Sequence, residues 1–228
     1  MAIALGTTDY HGISSGTTNT SVASNSLTTT GDGNSLYVCL VSNQSGTDSV
    51  PTVSDNYSNV WTQASSVSLF SQQNTTLFYT IAAAGGSGLV VTASWSANAS
   101  LAAIIFAEFT GFGAGAVGSH PAGTFNGSGN SPTTAPSITT TVANQLVVNA
   151  FSMYSGGAYT ITDSGAPWAI AVKHQTNDSQ DGALAYQVVS SPGAVADVFT
   201  YNAFGYSAAL AVSFTQSSGD SLMGQAWM

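Results

Sequence analysis

The sequence has very little charge and almost no cationic side chains. Only 5% of its 228 residues are Asp, Glu, Lys or Arg, whereas an ordinary globular protein has about 25%. Lys173 is the only lysine, arginine is absent, and ten acidic residues give a formal net charge of −9. Because nucleic acids and anionic lipid headgroups are bound mainly through Lys and Arg, this composition excludes nucleic acid and charged membrane surfaces as partners.

Cysteine and long apolar runs are also scarce. Cys39 is the single cysteine, so it has no disulfide partner within the chain, and its apolar neighbours predict a small buried side chain rather than a reactive thiol. The longest apolar run, LAAIIFAEF (101–109), is about half as long as a membrane-spanning helix and contains Glu108. The first dozen residues lack the basic region and apolar core of a secretory signal, so we expect none. With 43% hydrophobic residues, the chain is nevertheless apolar enough to fold around a core.

The first half of the chain repeats in the second half. The offset between matching residues drifts from 110 (Leu36 to Leu146) to 105 (Phe109 to Phe214), as changes in loop length would produce. The matching runs are LTTTGDGNSLYVCLVS (27–42) with ITTTVANQLVVNAFS (138–152), VSDNYSNVWTQASSV (53–67) with ITDSGAPWAIAVKHQ (161–175), TLFYTIAAAGGSGLVV (76–91) with ALAYQVVSSPGAVADV (183–198), and SLAAIIFAEFTG (100–111) with SAALAVSFTQ (207–216). We interpret this pattern as an internal duplication.

The repeated units are typical of β-strands. Runs such as LYVCLV and AALAVSF are short, rich in β-branched and aromatic residues, and bounded by Gly, Asn or Ser. No window of a dozen residues has the apolar period of a helix. Each half alone would expose an apolar sheet face, so we predict an all-β protein with a single antiparallel, jelly-roll-like β-sandwich of about ten strands built from two duplicated halves. Two separate immunoglobulin-like domains are the alternative.

This prediction divides the chain into three parts. Their bounds are an N-terminal arm or edge strand at 1–26, the sandwich at 27–217 (half one 27–112, a Gly-rich connection 113–136, half two 137–217), and a C-terminal tail at 218–228.

One turn occurs once in each half. SDNYSNVW (54–61) and TDSGAPW (162–168) share an Asp, turn-forming residues and a Trp in the same order. We predict that each Asp accepts a hydrogen bond from the backbone two residues later, and that the following Trp enters a strand facing the core. Ligand stacking is the alternative role for the two Trp rings.

With these motifs the chain resembles a family of low-charge, concanavalin A-like β-sandwiches common in phage and environmental bacterial sequences. The family pattern is a TDSxGNxW turn, then YYAxxxAGGxxTVTVTFS, then a strand ending AEYSG. Here the three motifs are SDNYSNVW (54–61), LFYTIAAAGGSGLVVTASWS (77–96) and AEFTG (107–111), and the resemblance covers most of 27–217. It implies a jelly-roll-like sandwich and no catalytic residues or cofactor.

Motifs that suggest enzymes lack the context that those enzymes need. GISSG (12–16) fits the serine-hydrolase elbow and GAGAVG (113–118) fits a dinucleotide loop, but neither precedes a predicted helix. The three histidines are not at metal-ligand spacing from one another or from Cys39. We therefore expect no enzyme, no cofactor and no metal centre.

Two acidic positions leave alternatives open. Asp178 and Asp181, with Asn177, lie in a predicted loop, where they form either a solvated turn or a Ca²⁺ site with oxygen ligands. Glu108, the only glutamate, lies in an apolar strand. It faces solvent from the outer side of a sheet, or it is buried with Lys173, the only permanent cation, as its partner.

These observations predict a non-enzymatic virion protein of a phage. We expect a capsid decoration protein, or a tail or fibre component, on the outer surface of the particle and extracellular after lysis of the host. Its partners would be other virion proteins and further copies of itself. The tail 218–228 contains the candidate docking residues, Leu222, Met223, Trp227 and Met228, because apolar residues on a tail need a binding surface, either on a partner or on the same sandwich.

A carbohydrate-binding or adhesive module is the alternative function. Trp95 and Tyr201 lie near predicted strand ends at corresponding places in the two halves. They either stack on the sugar rings of surface glycans or cap the core.

Overall fold

The computed structural model of the chain is all-β, as the sequence predicts. It describes residues 2–13, 19–45, 50–69, 73–126, 131–155, 160–175, 180–202 and 205–216. Strands form throughout these ranges and no helix does, so these ranges contain no helix that could cross a membrane.

The described residues form twenty strands. Those before residue 112 are β1(Ala4–Ile13), β2(Asn19–Ala23), β3(Leu27–Thr28), β4(Asp32–Ser45), β5(Thr52–Asp55), β6(Thr62–Leu69), β7(Gln73–Ala84), β8(Ser87–Leu89) and β9(Val91–Thr110). Those after residue 112 are β10(Ala116–Val117), β11(Thr124–Asn126), β12(Thr133–Thr134), β13(Ile138–Thr140), β14(Gln145–Ser155), β15(Ile161–Thr162), β16(Ala169–His174), β17(Asp181–Val189), β18(Gly193–Val195), β19(Val198–Tyr201) and β20(Gly205–Thr215).

Two large antiparallel sheets dominate the fold. The first has the order β1-β9-β4-β7-β6, and the second has the order β10-β20-β14-β17-β16. With the strands that pair beside these paths, the first sheet has seven strands and the second has six. The remaining strands are short pieces that form two- and three-stranded sheets beside them.

The two sheets have matching strand orders. In each sheet the last long strand of its half, β9 or β20, lies next to the first, β4 or β14. The aromatic contacts between the sheets match as well. Phe109 contacts Tyr186 edge to face with ring centroids 5.3 Å apart, and Phe214 contacts Tyr79 in the same way at 5.3 Å. Such reciprocal contacts are typical of surfaces related by a two-fold axis.

The shared core lies between the two sheets. Leu36, Leu40 and Phe109 from the first sheet form one apolar cluster with Leu146 and Phe214 from the second, and all five are fully buried. The sheets therefore pack face to face as a sandwich. A common origin of the halves by duplication stays a prediction.

Each sheet also buries its other face, which the sequence analysis did not expect. The first half of β9 pairs with β2 and β5, while its second half pairs with β1 and β4, so this one strand passes from a covering layer into the main sheet. The outer face of the first sheet forms a second apolar cluster around Phe106, and that of the second sheet forms clusters around Phe151 and Trp168. The short strands β2 and β5 belong to this covering layer, so the fold has more strands than the ten that the sequence predicted.

The predicted turns are confirmed. The backbone N–H of Tyr57 donates to Asp55 Oδ1 at 2.9 Å, and that of Gly165 donates to Asp163 Oδ1 at 2.9 Å. Trp168 is buried in the core of the second half, at 8% exposure. Trp61 is only partly buried, because it packs on the edge of its cluster and donates its ring N–H to Asp55 Oδ2 at 2.8 Å.

Candidate functional site

The predicted docking residues lie outside the part of the chain that the structure describes. Leu222, Met223, Trp227 and Met228 all belong to the tail after residue 216.

The two candidate sugar-stacking rings are in the core. Trp95 is 6% exposed, belongs to the outer cluster of the first half, and donates its ring N–H to the carbonyl of Asn19 at 2.9 Å. Tyr201 is also 6% exposed, and its hydroxyl shares a hydrogen bond with Ser207 Oγ at 3.0 Å. Neither ring offers a free face for a sugar, so of the two roles left open by the sequence, capping the core is the one that the geometry favours.

The Ca²⁺ candidate is only partly described. Asn177 and Asp178 lie outside the described residues, while Asp181 is 2% exposed at the start of β17. Asp181 Oδ1 lies 2.7 Å from His174 Nδ1, so this carboxylate has an imidazole partner rather than a place at a solvated loop tip. Asp181 therefore does not lie in a solvated loop, which corrects that part of the sequence prediction.

The His174 and Asp181 pair lies where the two sheets meet at their edges. The imidazole ring stacks on the ring of Tyr10 from β1, with centroids 3.3 Å apart, and the Tyr10 hydroxyl donates to the carbonyl of Gln180 at 3.3 Å. An imidazole held by a carboxylate at Nδ1 is two-thirds of a Ser-His-Asp arrangement. Here the same contacts tie β1 of the first sheet to β16 and β17 of the second.

A buried polar cluster lies beside this pair, between the sheets. Ser42 Oγ donates to Gln180 Oε1 at 2.6 Å, and Gln73 Nε2 donates to Ser152 Oγ at 3.2 Å and to Ser42 Oγ at 3.1 Å. All four side chains are at most 4% exposed. Sequence reasoning missed this cluster, although the serines are 110 residues apart and the glutamines 107, which are offsets of the repeat itself. Each serine bonds the glutamine of the other half, which again fits a two-fold arrangement.

Glu108 is buried with partners, as one of the two alternatives had it, but Lys173 is not among them. It is 1% exposed, and its Oε1 accepts hydrogen bonds from the backbone N–H of Thr30 at 2.9 Å and from Ser35 Oγ at 2.9 Å. Its Oε2 faces the N–H of Thr7 at 3.3 Å. Lys173 instead donates to the carbonyl of Ile161 in the second half, at 3.1 Å. Backbone and hydroxyl donors therefore hold the buried carboxylate, and sequence alone does not show which loop brings them.

Two further ionisable groups in the first half are buried and unreactive at neutral pH. Cys39 is a free, fully buried cysteine, as predicted, and burial raises the pKa of its thiol well above the ordinary value. Burial also raises the pKa of the Tyr37 phenol to about 12, and the nearby Glu108 charge adds to this, against the opposing effect of the hydrogen bond to Thr29. Neither group is available as a nucleophile at neutral pH.

Glu108, His174 and Asp181 thus each connect separate segments of the fold. Within those ranges, no group of three or more His, Cys, Asp or Glu side chains is placed to hold a metal ion. Comparison with known proteins found no matching family model, no matching curated protein and no matching solved structure.

Proposed function

We propose that this protein is a non-enzymatic structural component of the outer surface of a phage particle. It acts through contacts with other virion proteins and with further copies of itself, as a capsid decoration protein or as part of a tail or fibre. The motifs shared with phage-associated sandwiches and the near-absence of cations support this proposal.

The observation that carries the proposal is where the few charged groups lie. Glu108, Asp181 and Asp197 are each at most 2% exposed, and Asp55 is engaged within its turn. The surface therefore carries less charge than the composition alone suggests. Ser, Thr, Asn and Gly supply most of its polar groups. Such a surface suits contacts with neighbouring protein on the outside of a particle, away from packaged nucleic acid.

The sandwich also fits a rigid surface element. Its two sheets share one core, and the exposed turn before β6 is fixed by side-chain bonds to the neighbouring loop. Asn59 exchanges two hydrogen bonds of 2.8 Å with the backbone of Ala84, and Asn56 accepts one of 2.9 Å from the N–H of Val90. The turn holds Val60 at 83% exposure. A fixed apolar residue loses little conformational entropy when a partner covers it.

A quantitative mass-spectrometric inventory of purified phage particles tests the proposal. We expect this chain in stoichiometric amount, with hundreds of copies for a capsid protein and a few to a few dozen for a tail or fibre. Absence from purified particles, with the protein present in the infected lysate, would overturn it.

The tail is the proposed docking segment, with Trp227 as its anchor. Deleting residues 219–228 is expected to leave the melting temperature unchanged and to abolish association with particles or between copies. Trp227→Ala is the matched point variant and is expected to weaken association in the same direction. A fall in melting temperature on deletion would instead mean that the tail folds back on its own sandwich.

A further inference from the structure

The outer core of the second half contains a polar gap between two apolar clusters. On β14, Val147 belongs to the cluster around Trp168 and Phe151 belongs to the cluster around Phe199. Asn149 lies between them on the same face, because side chains alternate along a strand. It is 1% exposed.

Asp197 occupies a corresponding place in the covering layer, between residues that pack on the same two clusters. Val195 packs on the cluster around Trp168, and Phe199 stacks on Phe151 with ring centroids 5.1 Å apart. Asp197 is midway between Val195 and Phe199 in the chain and is fully buried. Burial alternates from Val195 to Phe199 as in an extended segment, which points to Asp197 lying over the row of the sheet that contains Asn149.

Three buried polar atoms of these two residues have no hydrogen-bond partner. They are both amide atoms of Asn149, Nδ2 and Oδ1, and the Oδ2 atom of Asp197. The other carboxylate oxygen, Oδ1, accepts the backbone N–H groups of Ser164 at 2.9 Å and of Val198 at 2.8 Å. Leaving such buried groups without a hydrogen bond is strongly unfavourable, so a partner is expected in the gap.

The neighbours of Asn149 in the sheet are small. Asn149 is flanked in register by Ala185 on β17 and Ala211 on β20. Both alanines are fully buried, and neither side chain can hydrogen-bond to the amide.

We propose that Asn149 and Asp197 form a binding site for buried water, which bridges the main sheet and its covering strand in the second half. An internal water typically makes about three hydrogen bonds to buried groups that lack other partners. Asn149 Nδ2 donates, whereas Asn149 Oδ1 and Asp197 Oδ2 accept. Water suits this set because it both donates and accepts hydrogen bonds. A hard cation fits less well, because Ca²⁺ takes about six to eight oxygen ligands, and here the amide N–H₂ shares the gap with only two free side-chain oxygens.

A crystal structure of the full chain, at a resolution that shows ordered water, tests the site directly. We expect density for water within about 3.2 Å of Asn149 and of Asp197 Oδ2. A dry gap, or a direct amide-to-carboxylate hydrogen bond, would overturn the proposal.

Thermal unfolding of variants gives a second, independent test. Asn149→Ala and Asp197→Ala are expected to lower the melting temperature, and the double variant by less than the sum, because both remove the same bridge. Additive losses would contradict a shared water. If Asp197→Ala does not fold, Asp197→Asn replaces it in the cycle.

Melting in NaCl, CaCl₂ and choline chloride at equal ionic strength separates water from a cation. We expect the same melting temperature in all three salts. A rise specific to Ca²⁺ or Na⁺ that Asn149→Ala abolishes would replace the water with a metal ion.

Discussion

One position on the outer face of each sheet is apolar in the first half and polar in the second. In the first half Cys39 lies in register between Phe78 and Phe106, and the three side chains form a closed apolar core. The corresponding residue of the second half, Asn149, lies between two alanines. The strand order is nevertheless the same. The apolar side chains that alternate along each strand toward the shared core therefore determine this architecture. The side chains on the outer face of each sheet can differ in polarity between the halves.

The largest expected difference between the halves concerns their tryptophans. Trp168→Ala should lower the free energy of unfolding by about 3–5 kcal/mol, the usual range for a buried aromatic. Trp61→Ala should lower it by about 2 kcal/mol, because Trp61 is only partly buried. Urea unfolding of both variants measures the two values. The reverse order would mean that Trp61 is the more important core residue.

The buried glutamate gives the next largest contrast. Glu108→Ala should destabilise the protein by about 3 kcal/mol, since it leaves several N–H and O–H donors without a charged acceptor. Its counterpart next to Phe214 is Ser213, whose Oγ accepts the N–H of Ser119 at 2.8 Å. Ser213→Ala should cost about 1 kcal/mol.

Glu108→Gln is the control for this contrast. It keeps the shape of the side chain but turns an N–H₂ group toward donors, so it should recover only part of the loss. Equal stability of Glu108→Gln and the unmodified chain would contradict the assigned hydrogen bonds.

The turn aspartates should differ by a smaller amount. Asp55 accepts hydrogen bonds from Tyr57, Asn59 and Trp61, whereas Asp163 accepts one from Gly165. We expect a loss of about 2 kcal/mol for Asp55→Ala and of less than about 1 kcal/mol for Asp163→Ala, by chemical denaturation. Similar losses at both sites would show that the additional bonds of Asp55 add nothing.

The last contrast is a pH dependence at a position where the first half has a titratable side chain and the second half has none. Tyr37 corresponds to Val147 and has a pKa raised from 10.0 to about 12 in the folded chain. Between these pH values the unfolded chain loses the phenolic proton while the folded chain keeps it, so stability falls as pH rises. Tyr37→Phe should fall less steeply over the same range. Parallel curves for the two proteins would contradict the raised pKa.

The sequence predicted the features that depend on local pattern. Short β-branched and aromatic runs between turn residues indicated the all-β class, and the Asp55 and Asp163 turns follow from the short reach of an aspartate to its own backbone. The repeat offset also paired Phe109 with Phe214, which occupy matching places in the shared core.

Features that depend on distant segments were not predictable in the same way. The donors to Glu108 come from residues about 80 to 100 positions earlier in the chain. Trp95 was a candidate surface ring because β9 was expected to end near it, but β9 continues through it into the covering layer. The Ser42 and Gln180 bond joins the two halves, so only their packing reveals it.

The central claim is that the two halves unfold as one unit, because their sheets share a core. Hydrogen exchange of the full chain at increasing sub-denaturing urea, read by mass spectrometry, tests this claim most directly. Peptides from β4 and β14 should reach the same free energy of opening and the same urea dependence. If β14 opened at a clearly lower free energy while β4 stayed protected, the halves would be separate folding units rather than one.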